Sequence, residues 1–68
     1  MESLLKSEIK AVALGYDLRF KITNDLMADY LTPAYLSLRR NHAHLHFMEF
    51  VNEVVKVRAE ERRRLQGI

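Results

Sequence analysis

The chain holds no cysteine and no tryptophan, one proline and only two glycines in 68 residues. Without cysteine there is no disulfide framework, no thiolate zinc site and no thiol nucleophile. Two glycines, Gly15 and Gly67, cannot build a phosphate-cradling loop. The single proline, Pro33, leaves most of the chain free to be helical. No apolar run nears the roughly 20 residues that span a bilayer. Met1-Glu2-Ser3 brings neither a basic n-region nor a cleavable apolar stretch, so no secretory leader and no membrane partner are expected. The expectation is a soluble, cytoplasmic protein.

What is present is a large apolar share, 49%, too high for a disordered tail. Residues 1–68 are expected to form a single domain, since a chain this short supports no more. It buries only about 60% of its unfolded surface, which makes a lone core marginal. Self-association is the cheapest remaining support. The formal charge of +2 is unevenly spread. The first half carries four basic against five acidic groups, the second half seven against four. All but one of those seven are arginines, namely Arg39, Arg40, Arg58, Arg62, Arg63 and Arg64, whose forks suit carboxylate and phosphate alike.

Residues 2–14 read as an amphipathic helix with Leu5, Ile9 and Val12 on one face and Lys6 and Lys10 opposite. Ser3 fits its N-cap, and Gly15 fits a left-handed residue just past its end. The period then changes. Tyr16, Leu18, Phe20 and Ile22 alternate with Asp17, Arg19, Lys21 and Thr23, the pattern of a half-buried strand or extended segment over 16–22. Thr23 or Asn24 can cap a short helix running to Leu31. Thr32-Pro33 then reads as the N-cap and N1 of a new helix.

No breaker follows Pro33 until Gly67. Arg39, His42, His46, Glu49, Glu53, Lys56 and Glu60 form a polar stripe across this span. Leu38, Leu45, Met48, Val51 and Val55 line the other side. A continuous helix over 33–66 would be roughly 51 Å long, against about 28 Å for the diameter of a compact domain of this length. Its apolar face therefore asks for a second copy. The fold expected is mainly α: a short helix, one extended or strand segment, a short helix and a long C-terminal helix. A two-fold homodimer is expected through Leu38, Leu45, Met48, Val51 and Val55.

Little here supports catalysis. Ser3, Ser7 and Ser37 sit in no strained elbow, and nothing resembles an oxyanion loop. His42, His46 and Glu49 share a helical face, but Arg39 borders it and no further ligands complete a shell, so no metal is expected. His44 falls nearer the apolar side, where partial burial is expected. No enzyme activity and no cofactor are expected. The arginines Arg39, Arg40, Arg58, Arg62, Arg63 and Arg64 are the candidate partner-binding residues.

The alternating Tyr16, Leu18, Phe20 and Ile22, the Thr23-Asn24 cap and Leu26 resemble the ribbon-helix-helix group of DNA-binding regulators. That resemblance implies a dimeric ribbon in the major groove, with Arg19 and Lys21 toward the DNA. The favoured expectation is different: a small non-catalytic homodimeric regulator that binds and modulates or inhibits another protein. A transcription factor is one such target, in the manner of small phage and mobile-element regulators. A structural subunit of a larger assembly is the third alternative.

Overall fold

The computed structural model describes residues 4–67. The elements are α1 (Leu4–Leu14), α2 (Asn24–Leu26), a π-helical turn (Met27–Leu31), α3 (Thr32–Arg39) and α4 (Phe47–Gln66). The expected N-cap Ser3 lies outside the described residues. The protein is mainly helical, with no strand among the described residues.

α2 begins where the sequence places it, with Thr23 Oγ1 accepting from the Leu26 amide at 3.1 Å. Thr32, however, caps nothing. Its backbone is helical, and α2, the π turn and α3 run on without a gap. Pro33 explains the π turn, because it offers no N–H to the carbonyl four residues back. The register widens instead. The Thr32 amide donates to the Met27 carbonyl, and Thr32 Oγ1 donates to the same oxygen at 2.9 Å.

The expected rod over 33–66 is broken. Residues 40–46 form turns between α3 and α4, and the molecule measures 38 × 34 × 16 Å. No glycine or proline marks the break. Asn41, His42, His44 and His46 are mediocre helix formers, each costing only tenths of a kcal/mol relative to alanine. Tertiary contacts then decide the matter. Leu45 turns inward to 4% exposure, a burial worth about 1.5–3 kcal/mol. Tyr35 Oη donates to the Leu45 carbonyl at 2.8 Å, and His42 Nε2 lies 2.7 Å from Glu8 Oε2 on α1.

The core is formed by Ile9 and Ala13 of α1, Leu31 of the π turn, Leu45 of the link, and Phe50, Val51 and Val54 of α4. Tyr35 stacks edge-on to Phe47, at 5.2 Å between centroids, and closes one side. Leu45 and Val51, expected at a dimer seam, are therefore covered by their own chain, and Leu38 packs beside them. Gly15 is not left-handed, since no glycine has positive φ. It serves a close approach: Tyr30 Oη donates to the Val12 carbonyl at 2.7 Å, and a Cβ on Gly15 would stand 2.6 Å from that hydroxyl.

Phe50 is fully buried and Met48 is 63% exposed on the same helix. Phe50→Ala should cost about 3–5 kcal/mol in urea denaturation, while Met48→Ala should stay within about 0.5 kcal/mol. Equal effects would show that α4 faces the core along a different side.

Candidate functional site

α4 carries Arg58 and Arg62 four residues apart, one turn above the other. Both turn toward the connection between α1 and α2. Arg58 is 2% exposed. Its Nη1 donates to the carbonyls of Ala13 and Tyr16, each at 3.0 Å. Its Nη2 donates to those of Asp17, at 3.0 Å, and Phe20, at 2.7 Å. Arg62 Nε donates to the Leu18 carbonyl at 2.9 Å, and Arg62 Nη2 to that of Phe20 at 3.3 Å. The guanidinium of Arg58 also lies 5.9 Å from the centroid of the Tyr16 ring.

This is why residues 16–22 form no strand. The carbonyls that a ladder would use are taken by two arginine side chains, and Phe20 closes a turn by donating to the Asp17 carbonyl at 3.2 Å. Of the alternating Tyr16, Leu18, Phe20 and Ile22, three are half-buried and Phe20 is 54% exposed, so the alternation only partly matches burial in the loop. The resemblance to ribbon-helix-helix proteins loses the element that carried it. Arg19, which that resemblance places toward DNA, is exposed and bound to Asp17. Its Nη2 stands 2.7 Å from Oδ2, and its amide donates to Oδ1 at 2.9 Å. The Arg19 hydrogen bonds hold the Asp17 carboxyl down to about 2.

The electrostatics of the loop are unbalanced. Arg58 meets only neutral carbonyls, and its Nε is buried without an acceptor. Burial, and then repulsion from Arg62, push its guanidinium below its usual range. On the outer side a groove runs between the loop and α4, lined by Leu18, Arg19, Lys21, Arg62, Leu65 and Gln66. It continues into a second cleft lined by Lys21, Ile22, Val55, Arg58 and Arg62. No carboxylate lines either part. Nearby apolar side chains stand open to solvent: Phe20 at 54%, Val55 at 47% and Leu65 at 55%.

The structure thus gathers only part of the expected arginine set. Arg58 is enclosed rather than presented, and Arg62 is half-buried beside it. Arg63 and Arg64 are exposed on the last turns, with Arg64 3.2 Å from Glu61. Arg39 lies 5.9 Å from the Tyr35 ring centroid at the end of α3, and Arg40 is exposed in the link. Met48 and Val55 remain exposed on α4. Lys21, singled out for DNA, belongs to the groove. Leu18, Ile22 and Leu65 were missed. The signal for them was apolar side chains surviving in a loop and in an arginine-rich helix end. His44 is exposed rather than partly buried, His46 is exposed as its place on the polar stripe implies, and no metal-binding group of His, Asp and Glu occurs among the described residues.

Removing the Arg58 guanidinium leaves the carbonyls of Ala13, Tyr16 and Asp17 without their arginine donor and the Phe20 carbonyl with only the longer bond from Arg62. Hydrogen bonds to a charged group contribute about 1.5–3 kcal/mol each, so Arg58→Ala should cost about 3 kcal/mol or more in urea denaturation. Arg58→Lys should recover little, because an ammonium cannot span a planar fork of acceptors. Full recovery by lysine would show that charge alone matters at this position. No family model, no curated protein and no solved structure matches this chain.

Proposed function

We propose that this chain is a non-catalytic regulatory module that binds another protein by taking an acidic, apolar segment into the groove between residues 18–22 and α4. One observation carries the reading: exposed apolar side chains and basic side chains line one groove that contains no carboxylate. Apolar anchors supply the affinity of such contacts, while rim charges set orientation and on-rate. The arginine-bound loop presents Leu18 and Lys21 from backbone that is already ordered, which lowers the entropy lost on binding.

The test is fluorescence anisotropy with amphipathic peptides in which Asp and Glu alternate with Leu and Phe, compared with their Asn and Gln counterparts. Acidic peptides should bind at least tenfold more tightly. Lys21→Glu and Leu65→Ser should each abolish that preference or weaken binding tenfold, and Arg40→Glu should leave both intact. Equal binding of neutral peptides, or indifference to Lys21→Glu, would overturn the reading. Duplex DNA binding in place of peptide, falling steeply with salt, would move the function to nucleic acid.

A second reading keeps the homodimer, on a surface the broken rod still leaves open. Met48, Asn52, Val55 and Ala59 follow one another on α4 at steps of four, three and four, and all are exposed. Glu49 and Lys56 flank this stripe. Antiparallel pairing about a two-fold axis near Glu53 and Val54 sets Met48 against Ala59 of a second copy, and Glu49 beside its Lys56. Sedimentation should then show a species of twice 8.0 kDa. Lys56→Glu should weaken it, and Glu49→Lys with Lys56→Glu should restore it. A monomer at every concentration excludes this reading.

A further inference from the structure

We infer that the cleft bounded by Lys21, Ile22, Val55, Arg58 and Arg62 is an oxyanion site, shaped for a carboxylate or phosphate group. The inference rests on the proposed binding groove, of which this cleft is the inner end, and names the group that the groove would hold.

Three cationic side chains line the cleft, and no anionic one does. They come from two elements. Arg58 and Arg62 stand one helical turn apart on α4, with Val55 completing the same side, and Lys21 and Ile22 come from the loop that those arginines hold. The loop over 15–23 carries one acidic residue, Asp17, whose carboxylate is taken up by Arg19 through contacts of 2.7–3.1 Å. Arg58 is therefore an enclosed charge with no carboxylate hydrogen-bonded to it, and Asp17 attracts it only from a distance. All four of its Nη hydrogens go to neutral carbonyls, and the remaining donor, Nε, is buried with no acceptor at all. Buried charges in folded proteins are ordinarily paired, since an uncompensated one costs several kcal/mol. An anion in the cleft would supply a contacting counter-charge, offset the repulsion between Arg58 and Arg62, and meet the exposed Lys21 that lines the same cleft. Ile22 and Val55 give the cleft apolar walls, which lower the local dielectric and strengthen attraction at short range. The apolar walls also favour an oxyanion attached to something apolar, such as an acidic side chain in a greasy segment, over a freely hydrated ion.

The cleft also bears on folding. The loop that supplies Lys21 and Ile22 is ordered by the same arginines that face the anion. Occupancy should therefore stabilise the folded chain by mass action.

The experiment titrates the wild-type protein with inorganic phosphate, and separately with acetate, against chloride at matched ionic strength. It follows amide and arginine Nε–H resonances together with the melting temperature. The expected result is a saturable shift confined to Lys21, Ile22, Arg58 and Arg62, with a dissociation constant on the order of a millimolar. The melting temperature should rise with phosphate and not with chloride. Lys21→Gln, at an exposed position, should weaken the response at least fivefold without lowering the melting temperature in chloride. Lys56→Gln should leave the response intact. Shifts spread evenly over all basic residues, or reproduced by chloride, would overturn the inference. Phosphate binding without any preference for acidic peptides would leave the oxyanion site standing and remove the proposed protein-binding role. Peptide binding through Leu65 with no anion response would do the reverse.

Discussion

A single buried guanidinium organises this molecule. Arg58 sits at 2% exposure among the carbonyls of Ala13, Tyr16, Asp17 and Phe20. A chain of this size has too little apolar surface to hold a nine-residue connection by packing alone. It uses a planar, permanently charged fork instead, whose geometry matches several acceptors at once. The same contacts hold the end of α1 and the turn that follows it, while the Thr23 cap fixes where α2 starts. α1 and α4 meet in the core through Ile9, Ala13, Phe50 and Val54, and the buried arginine ties the α1–α2 connection to α4. Ablating it would loosen the loop and also leave the carbonyl of Ala13, at the end of α1, without its partner.

How much of this could be read in advance depends on the kind of interaction involved. Local chemistry was legible. The Thr23 cap, the apolar face of α1 and the helical character of residues 24–39 and 47–66 follow from spacing and capping rules that involve near neighbours only. Long-range choices were not. The alternation over 16–22 matches burial only in part, Phe20 being exposed, and periodicity does not say whether carbonyls will meet another strand or an arginine some forty residues away. The break at 40–46 was equally hidden. Its local cost is small either way, and the outcome turns on Leu45 reaching the core and His42 reaching Glu8. At the candidate site, the basic character of the C-terminal helix was visible, yet the division of labour within it was not. Arg58 faces inward, Arg62 lies between, and Arg63 and Arg64 face solvent because successive turns of α4 place them around the axis, and only the loop's position reveals which side is inner.

The broken rod also changes the argument for self-association. A helix of some 51 Å would need a second copy to cover it. Folding back lets Phe50, Val51 and Val54 be covered by α1 and the link instead. What remains outside is dispersed: Met48 and Val55 on one stripe of α4, Leu65 with Phe20 near the loop, Leu36 on α3, and Leu4 and Leu14 on α1. Scattered exposed apolar residues are normal on small proteins, and only those that adjoin a groove or recur at helical spacing carry meaning. Here both kinds occur, and they lie on adjoining sides of one helix, with Val55 common to the two.

That shared position ties stability to binding. The side chains that hold the loop, Arg58 and Arg62, also form the wall of the cleft, so the surface is only as ordered as the clamp behind it. A ligand that neutralises the clamp's charge would strengthen it, and a change that loosens the clamp would flatten the groove. Affinity and folding stability at this site are then coupled by the same free energy, in both directions. Nature could have covered Arg58 with a carboxylate of its own, since Asp17 lies in the very segment that Arg58 binds. Asp17 instead pairs with Arg19 on the outside. Asp17 then reaches the internal charge only by attraction at a distance, and the lining of the cleft stays cationic.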